Sequence, residues 1–530
     1  MRPLRTLSCR PVPAVTAALA ACALAAGLLA APAQAESGSG ARAVAQAEPS
    51  VTDGCLESVP EPGSTDPVEI CWTLFRPEGA TADNRVPMIV HSHGWGGSRT
   101  KDPAAFERWL GAGYGVLSFD QRGFGASGGQ AHVENPRYEG HDVRRLVRML
   151  STLDWVQQDG PGDPRLGAIG GSYGGGYQFL GAFELLRRHG TPVFDALAPE
   201  ITWFDLNQSL APEDVVRTEW ALALSAAAAS TDALPPRVYK ALAEGAATGT
   251  WPDGSVPGTE DMESFFRKNG PGWHVKQGRR LDIPVLLGQG TTDTLFNLQQ
   301  GLANWHRALT PASKRRSIFV AYNGGHALPA VFPAGVAVTS DPCSEQLAGD
   351  SFADLARRFM DEQLKGRDTG LAGYGRIHLA TPASTCTTVD SVAPSASYDV
   401  GLVATPTTGS APLAYPVAEG PIRIAGTPRM VGKLTALGVQ NRAFYGLAVG
   451  TTPADARLVQ NNVLPLNEPG PVTGEKRRVA LPSVAVDVPE GQTLYVLASA
   501  VSDTFVGMSS RTPGAVLLED TKVKLPVVGR

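Results

Sequence analysis

Hydrophobic and polar positions follow two alternating rhythms along the first two thirds of the chain. Val68–Phe75, Pro87–Ser92, Tyr114–Asp120, Arg165–Ile169, Phe194–Pro199, Ile283–Gly290 and Arg316–Ala321 are short, mostly apolar runs of the kind buried inside a parallel sheet. Between them, Ala104–Leu110, Glu139–Gln157, Tyr177–Leu186, Leu298–Leu309 and Phe352–Leu364 place apolar residues at helical spacing. In the second of these, Val143, Leu146, Val147, Leu150 and Leu153 share one side. Strand and helix in alternation predict an α/β sheet covered on both faces.

The rhythm breaks twice. From Glu200 to Arg280 no clear strand occurs. Val215–Ala229, Pro236–Ala246 and Asp261–Lys268 read there as helices, so a helical insertion at about 201–280 is expected to cap the carboxyl edge of the sheet. After Lys365 the chain turns to short alternating runs such as Ile422–Ile424, Val479–Leu481, Gln492–Ala498 and Val523–Leu525, separated by turn residues. That pattern predicts a β-sandwich. The expected organisation is an α/β domain over 36–370, including the cap, and a C-terminal β-sandwich over 371–530.

The first residues belong to neither pattern. A basic segment, Arg2 to Arg10, precedes an apolar run from about Val12 to Ala30 and the small-x-small site Ala33-Gln34-Ala35. Residues 1–35 therefore read as a cleaved export signal and predict a secreted, extracellular protein without a stable membrane span. Leu19-Ala20-Ala21-Cys22 leaves lipid anchoring through Cys22 as the alternative. A formal charge of −5, with Arg2, Arg5 and Arg10 all in the leader, disfavours nucleic acid as a partner. At 43% hydrophobic and 18% charged residues, the chain has the balance of globular domains rather than of disorder.

Of six cysteines, Cys9 and Cys22 fall in the leader, leaving Cys55, Cys71, Cys343 and Cys386. An even number in an exported chain implies disulfides, and no C-x-x-C pair suggests zinc or redox chemistry. Of the three pairings, Cys55 with Cys71 and Cys343 with Cys386 is preferred. The first would close a small loop at the entry to the fold, and the second would clip the end of the α/β domain to the region C-terminal to it.

Candidate chemistry begins at Gly170-Gly171-Ser172-Tyr173-Gly174, a G-x-S-x-G turn between an apolar strand and a helix. Such a turn exposes a serine hydroxyl at the positive end of the helix. A serine needs a base, and the base needs an orienting acid. Gly288-Gln289-Gly290-Thr291-Thr292-Asp293 places Asp293 just beyond a strand, and Asn323-Gly324-Gly325-His326 does the same for His326. The order serine, acid, histidine is that of α/β-hydrolases. His189, His274, His306 and His378 lie in or beside helices, in the insertion or in the β-rich region. His91 and His93 precede the serine and shape the neighbouring loop. Backbone amides of Tyr173 and of Trp95, in the glycine-dense loop His93–Ser98, are the expected oxyanion donors. Asp120 and Arg122 read as a bracing pair.

The Gly-x-Ser-Tyr-Gly-Gly form of 170–175 and the Asp120-x-Arg122-Gly123-x-Gly125-x-Ser127-x-Gly129 segment resemble the Xaa-Pro dipeptidyl-peptidase and cocaine-esterase-like branch of the α/β-hydrolases. So does the order of a capped catalytic domain followed by a jelly-roll-like sandwich. The resemblance implies a serine hydrolase with Ser172, Asp293 and His326 as its triad and no metal or organic cofactor. It implies first a peptidase that releases N-terminal dipeptides. An esterase or acyl amide hydrolase is the alternative, and a non-catalytic carbohydrate-binding protein is a more distant one. Relatives with an oxyanion tyrosine carry it where this chain has Gly94-Trp95-Gly96, so the site here must rely on amides. Expected partners are a small-molecule or peptide substrate and, for the C-terminal domain, cell-wall material or carbohydrate. Asp205, Glu213, Asp214 and Glu219 of the insertion are candidates for holding a substrate amine.

Overall fold

The computed structural model describes residues 49–326, 334–409 and 411–529. The predicted signal, with Cys22, lies outside the described residues. Among the described residues, no helix is long and apolar enough to cross a membrane.

Ten strands form one sheet: β1 Ser50–Ser58, β2 Val68–Arg76, β3 Met88–Ser92, β4 Gly115–Phe119, β5 Leu166–Gly171, β6 Phe194–Glu200, β7 Leu286–Gly290, β8 Ile318–Tyr322, β9 Ile377–Ala380 and β10 Cys386–Val389. Their spatial order is β1-β2-β4-β3-β5-β6-β7-β8-β9-β10. From β4 to β9 neighbours run parallel, while β1, β2 and β10 pair antiparallel at the two edges. Successive side chains of the parallel strands enter opposite layers. Val90, Leu117, Leu287 and Phe319 pack with helices α1 (Glu139–Leu150) and α2 (Tyr173–His189). Ile89, Val116, Leu286 and Val320 pack with the last long helix of this unit, Phe352–Lys365. Continuous apolar runs are thus required because both faces are buried.

Several boundaries differ from those expected from the sequence. α1 ends at Leu150 rather than Gln157, because Val156 bridges to Val86 and the Gln157 amide donates to the Val86 carbonyl. Ser50–Ser58, which no apolar run marked as a strand, pairs along its whole length with β2. The sheet also passes the expected domain boundary at 370/371, since β9 and β10 add to its far edge. Hydrogen bonding of β9 to β8, and of β10 to β9, captures these strands whatever their composition. Cys343–Cys386 consequently ties the helix Pro342–Ala348 to β10, inside the α/β unit rather than across to the sandwich. Cys55–Cys71 joins directly opposed residues of β1 and β2.

Beyond β10 the chain builds a four-stranded and a five-stranded antiparallel sheet with a shared apolar core. The insertion between β6 and β7 contains α3 (Thr218–Ala229), α4 (Pro236–Thr248) and shorter helices at Leu206–Leu210, Met262–Phe266 and Pro271–Lys276. Sandwich residues Phe444, Tyr495, Phe505 and Met508 share one apolar cluster with this cap. Arg442 donates to the Gly249 carbonyl (2.7 Å) and Asn467 to that of Glu213 (3.0 Å) across the same contact.

Candidate active site

β5 ends in a turn that leaves no room for a side chain two residues to either side of Ser172, at Gly170 and Gly174. Gly170 has φ +138°, and a Cβ there would lie 2.6 Å from the Gly174 carbonyl oxygen. Ser172 itself has φ 57° and ψ −121°, a left-handed conformation held by its amide bond to the Glu200 carbonyl (3.0 Å). This strain aims the hydroxyl away from the sheet edge.

The loops after β7 and β8 meet that hydroxyl. Ser172 Oγ donates to His326 Nε2 (2.8 Å), and His326 Nδ1 donates to Asp293 Oδ2 (2.7 Å). Asp293 Oδ1 accepts from the amides of Leu295 and Phe296 at 2.9 and 2.7 Å, which fixes the carboxylate plane. The His326 carbonyl accepts from the Thr294 amide (2.8 Å), tying the two loops together. Trp220 and Phe296 pack edge-on against the imidazole. All three sequence-predicted residues therefore converge, on three separate strand ends of one sheet edge.

The Trp95 loop lies against the nucleophile, because a Cβ on Gly94 would sit 3.9 Å from Ser172 Cβ. The Trp95 ring packs edge-to-face on Tyr173 and Phe124, and its Nε1 donates to the Leu224 carbonyl of the cap (2.9 Å). Tyr173 opens α2, so its amide belongs to the first turn, where no intrahelical carbonyl is in reach. His93 is a brace: its Nε2 accepts from the Gln121 amide, and burial lowers its pKa. Asp120 and Arg122 each brace the neighbouring loops, but not as a pair: Asp120 holds Arg99 and the Ala126 amide, while Arg122 is held by Asp142 and Glu61.

Residues that sequence reasoning did not single out complete the site. Asn462 of the sandwich donates to the carbonyls of Thr291 (3.4 Å) and Asp293 (3.2 Å), supporting the acid loop from a second unit. Arg217 of the cap is buried over the Phe505 ring. Burial lowers its pKa to about 10, opposed by the field of Asp293. Neither residue carries a local sequence signal, because each acts through a contact between distant segments.

A cavity opens above Ser172 beneath the cap, with about 580 Å³ of empty space that includes its opening to solvent. Leu206, Leu224, Val238, Leu242, Phe266 and Phe296 line it together with the rings of Trp95, Tyr173 and Trp203. Among the described residues no carboxylate does. Asp205 instead caps the helix Leu206–Leu210 through the Gln208 amide (3.3 Å), and Glu213, Asp214 and Glu219 are also absent from the lining.

Beside the lining residue Val133 lies Glu134, 1% exposed and with neither carboxyl oxygen hydrogen-bonded among the described residues. Burial, reinforced by Glu139 and Asp142, pushes its pKa well above the ordinary carboxyl range. The unfolded chain releases this proton near the ordinary Glu value while the folded chain retains it, so the contribution to stability falls as pH rises above that value. Glu134→Gln is accordingly expected to raise the melting temperature at pH 7 and leave it unchanged at pH 4. Calorimetry showing equal shifts at both pH values would refute this.

Residues 66–327 match the family described as X-Pro dipeptidyl-peptidase (S15 family). The matched range runs from just before β2 to the residue after His326. In overall fold the chain is similar to a CocE/NonD family hydrolase from Staphylococcus aureus, with TM-score 0.62, 13% identity, and 90% of this chain and 93% of that one covered. It is likewise similar to an α-amino acid ester hydrolase, with TM-score 0.60, 13% identity, and 90% and 97% covered. Both extend the likeness through the C-terminal sandwich. Over 107 residues the chain is 36% identical to the quorum-quenching protein AidA of Acinetobacter baumannii, covering 20% of this chain and 32% of that protein. Over 117 residues it is 31% identical to an uncharacterized 31.7 kDa protein of the Escherichia coli traX-finO intergenic region, covering 22% and 38%. The chain thus spans about a third of the length of these curated relatives.

Proposed function

We propose that the protein is a secreted serine hydrolase acting through an acyl-enzyme. The observation that carries this is the continuous hydrogen-bonded relay from Ser172 through His326 to Asp293 at the mouth of a closed-over cavity. Ser172 Oγ attacks the substrate carbonyl as its proton passes to His326 Nε2, and Asp293 stabilises the imidazolium through Nδ1–H. The tetrahedral oxyanion is met by the amides of Tyr173 and Trp95. Collapse transfers the proton from Nε2 to the leaving group. Water then attacks the acyl-enzyme, gives its proton to the same nitrogen, and Ser172 is released as the acid departs. The two disulfides fit an oxidising, extracellular setting.

Two leaving groups were open from the sequence, the amine of a dipeptidyl-peptidase and the alcohol or amine of an acyl ester or amide. The cavity favours the second. A peptidase that releases N-terminal dipeptides must hold a substrate ammonium, and an apolar wall offers it no counter-charge, which is costly for a desolvated ion. Leu224, Val238, Leu242 and Phe266 instead suit an uncharged hydrocarbon acyl group. The expected result of comparing short acyl nitrophenyl esters with Ala-Pro and Gly-Pro anilides, free and N-blocked, is a higher kcat/KM for the esters. Cleavage confined to the unblocked anilides would return the function to the dipeptidyl-peptidase reading.

A further inference from the structure

The negative net charge conceals a strongly basic surface on the far side of the nucleophile helix. α1 and α2 pack side by side, and two solvent-open grooves flank a ridge formed by His141 and Arg144, which line both. The first groove is lined by Arg144, Arg145, Arg148 and His189, with Asp163 as its acidic residue. The second adds Arg137, Arg187, Arg188 and Lys268, with no acid in its lining. They hold about 1380 and 1280 Å³ of empty space, open to solvent.

These cations are poorly compensated. Among the described residues Arg187 has an ion pair, with Glu184 at 2.6 Å, whereas Arg137, Arg144, Arg145, Arg148 and Arg188 have none. Arg144 and Arg145 donate through Nε to the carbonyls of Gly140 and Glu57, and among the described residues their outer nitrogens have no hydrogen-bond partner. Helix dipoles account for Arg148, Arg187, Arg188 and His189, which lie in last turns. They do not account for Arg144 and Arg145 within α1, or for Arg137 and Lys268 outside both helices. Burial lowers the Arg144 pKa, and Arg188 and Arg187 lower it further against the opposing fields of Glu184 and Asp142. His141 is held down to about 4 by burial and by Arg144, Arg145, Arg122 and Arg188. Like charges gathered this way destabilise the free protein, and an anion relieves them.

We propose that this surface is a binding site for a multivalent oxyanion, a ligand carrying two or more phosphate or sulfate groups that straddles the Arg144 ridge. Forked guanidinium groups on both walls match tetrahedral oxyanions bidentately, which ammonium groups do not. The grooves lie toward the carboxyl end of α2, about 24 Å along the helix from Ser172 at its amino end. The ligand is therefore an attachment point or effector rather than the substrate, and the site goes beyond the proposed hydrolase activity.

The test is calorimetric titration with tripolyphosphate, long-chain polyphosphate and sulfated dextran at low ionic strength, with polyglutamate as the carboxylate control. Saturable binding that weakens with added salt is expected, equal for wild type and Ser172→Ala, and about tenfold or more weaker for Arg144→Gln/Arg188→Gln. Ester turnover of the double variant should match wild type, and its melting temperature without ligand should be no lower. Should it melt lower, Arg148→Gln, an exposed substitution, supplies the comparison. Tighter binding of the long chains than of tripolyphosphate would identify a polymer, and equal binding a small ligand, and either supports the site. Absence of saturable binding to all three oxyanions, or unchanged affinity in the arginine variants, would overturn it.

Discussion

Ser172→Ala is expected to lower ester turnover by about 10⁶-fold while leaving the melting temperature and secondary structure unchanged. The substitution removes one hydroxyl from a residue whose backbone is already held, by the Ser172 amide on the Glu200 carbonyl and by the Gly175 and Gly176 amides on the Ser172 carbonyl. His326→Ala should cost nearly as much, and the double variant little more, because the two groups act as one unit. Intact-mass measurement after fluorophosphonate treatment gives an independent reading: one adduct on wild type and none on Ser172→Ala. A Ser172→Ala protein that retains wild-type turnover would refute the assignment of the nucleophile.

Gly174→Ala should also be severe, through geometry rather than chemistry. A Cβ at Gly174 would press into the Ser92 carbonyl oxygen and lie 3.1 Å from that of His93. Both are backbone atoms at the start of the loop that carries Trp95, so no side-chain rotation relieves the clash. The helix must move away from that loop, separating the nucleophile from the oxyanion donors. A displacement of about 1 Å at a reacting centre costs on the order of 10²-fold in rate, and a lower melting temperature should accompany it. Gly470→Ala is the control, since a Cβ there meets nothing within 4 Å and its φ lies outside the left-handed range. Wild-type kcat/KM in Gly174→Ala would show that the elbow tolerates a wider turn than its contacts indicate.

The triad was legible because each member stands at the end of an apolar strand and follows or flanks glycine. β5, β7 and β8 are buried on both faces, so their composition announces them. α1 was legible as a helix but not in length. Leu153 continues the apolar side and is itself partly buried, yet Val156 belongs to a strand bridge with Val86, a contact between segments far apart in the chain. Ser50–Ser58 shows the converse case. It is polar and largely exposed, and pairing with β2 makes it a strand where composition does not.

Asp205, Glu213, Asp214 and Glu219 mark the limit of reading a cap from its residues. Their charges could have served a substrate ammonium, but the cap helices turn Leu206, Leu224, Val238 and Leu242 toward Ser172 and keep the carboxylates out of the lining. The sandwich likewise gave no sign that Asn462 would reach the acid loop. The arginines from 137 to 188 read separately as helix-surface charges, and the packing of α1 against α2 makes them one field.

The sequence by itself determined the capped α/β plan, the strained serine turn and which histidine and aspartate hydrogen-bond in series to that serine, because buried strands and side-chain-free turns impose composition locally. The tertiary structure alone decided the apolar character of the cavity beside Ser172, the reach of the sheet to Val389 and the gathering of arginines beyond α2. Each of those depends on which faces of separate segments meet, and burial and charge at such a meeting are properties of pairs of residues that no single stretch of chain encodes.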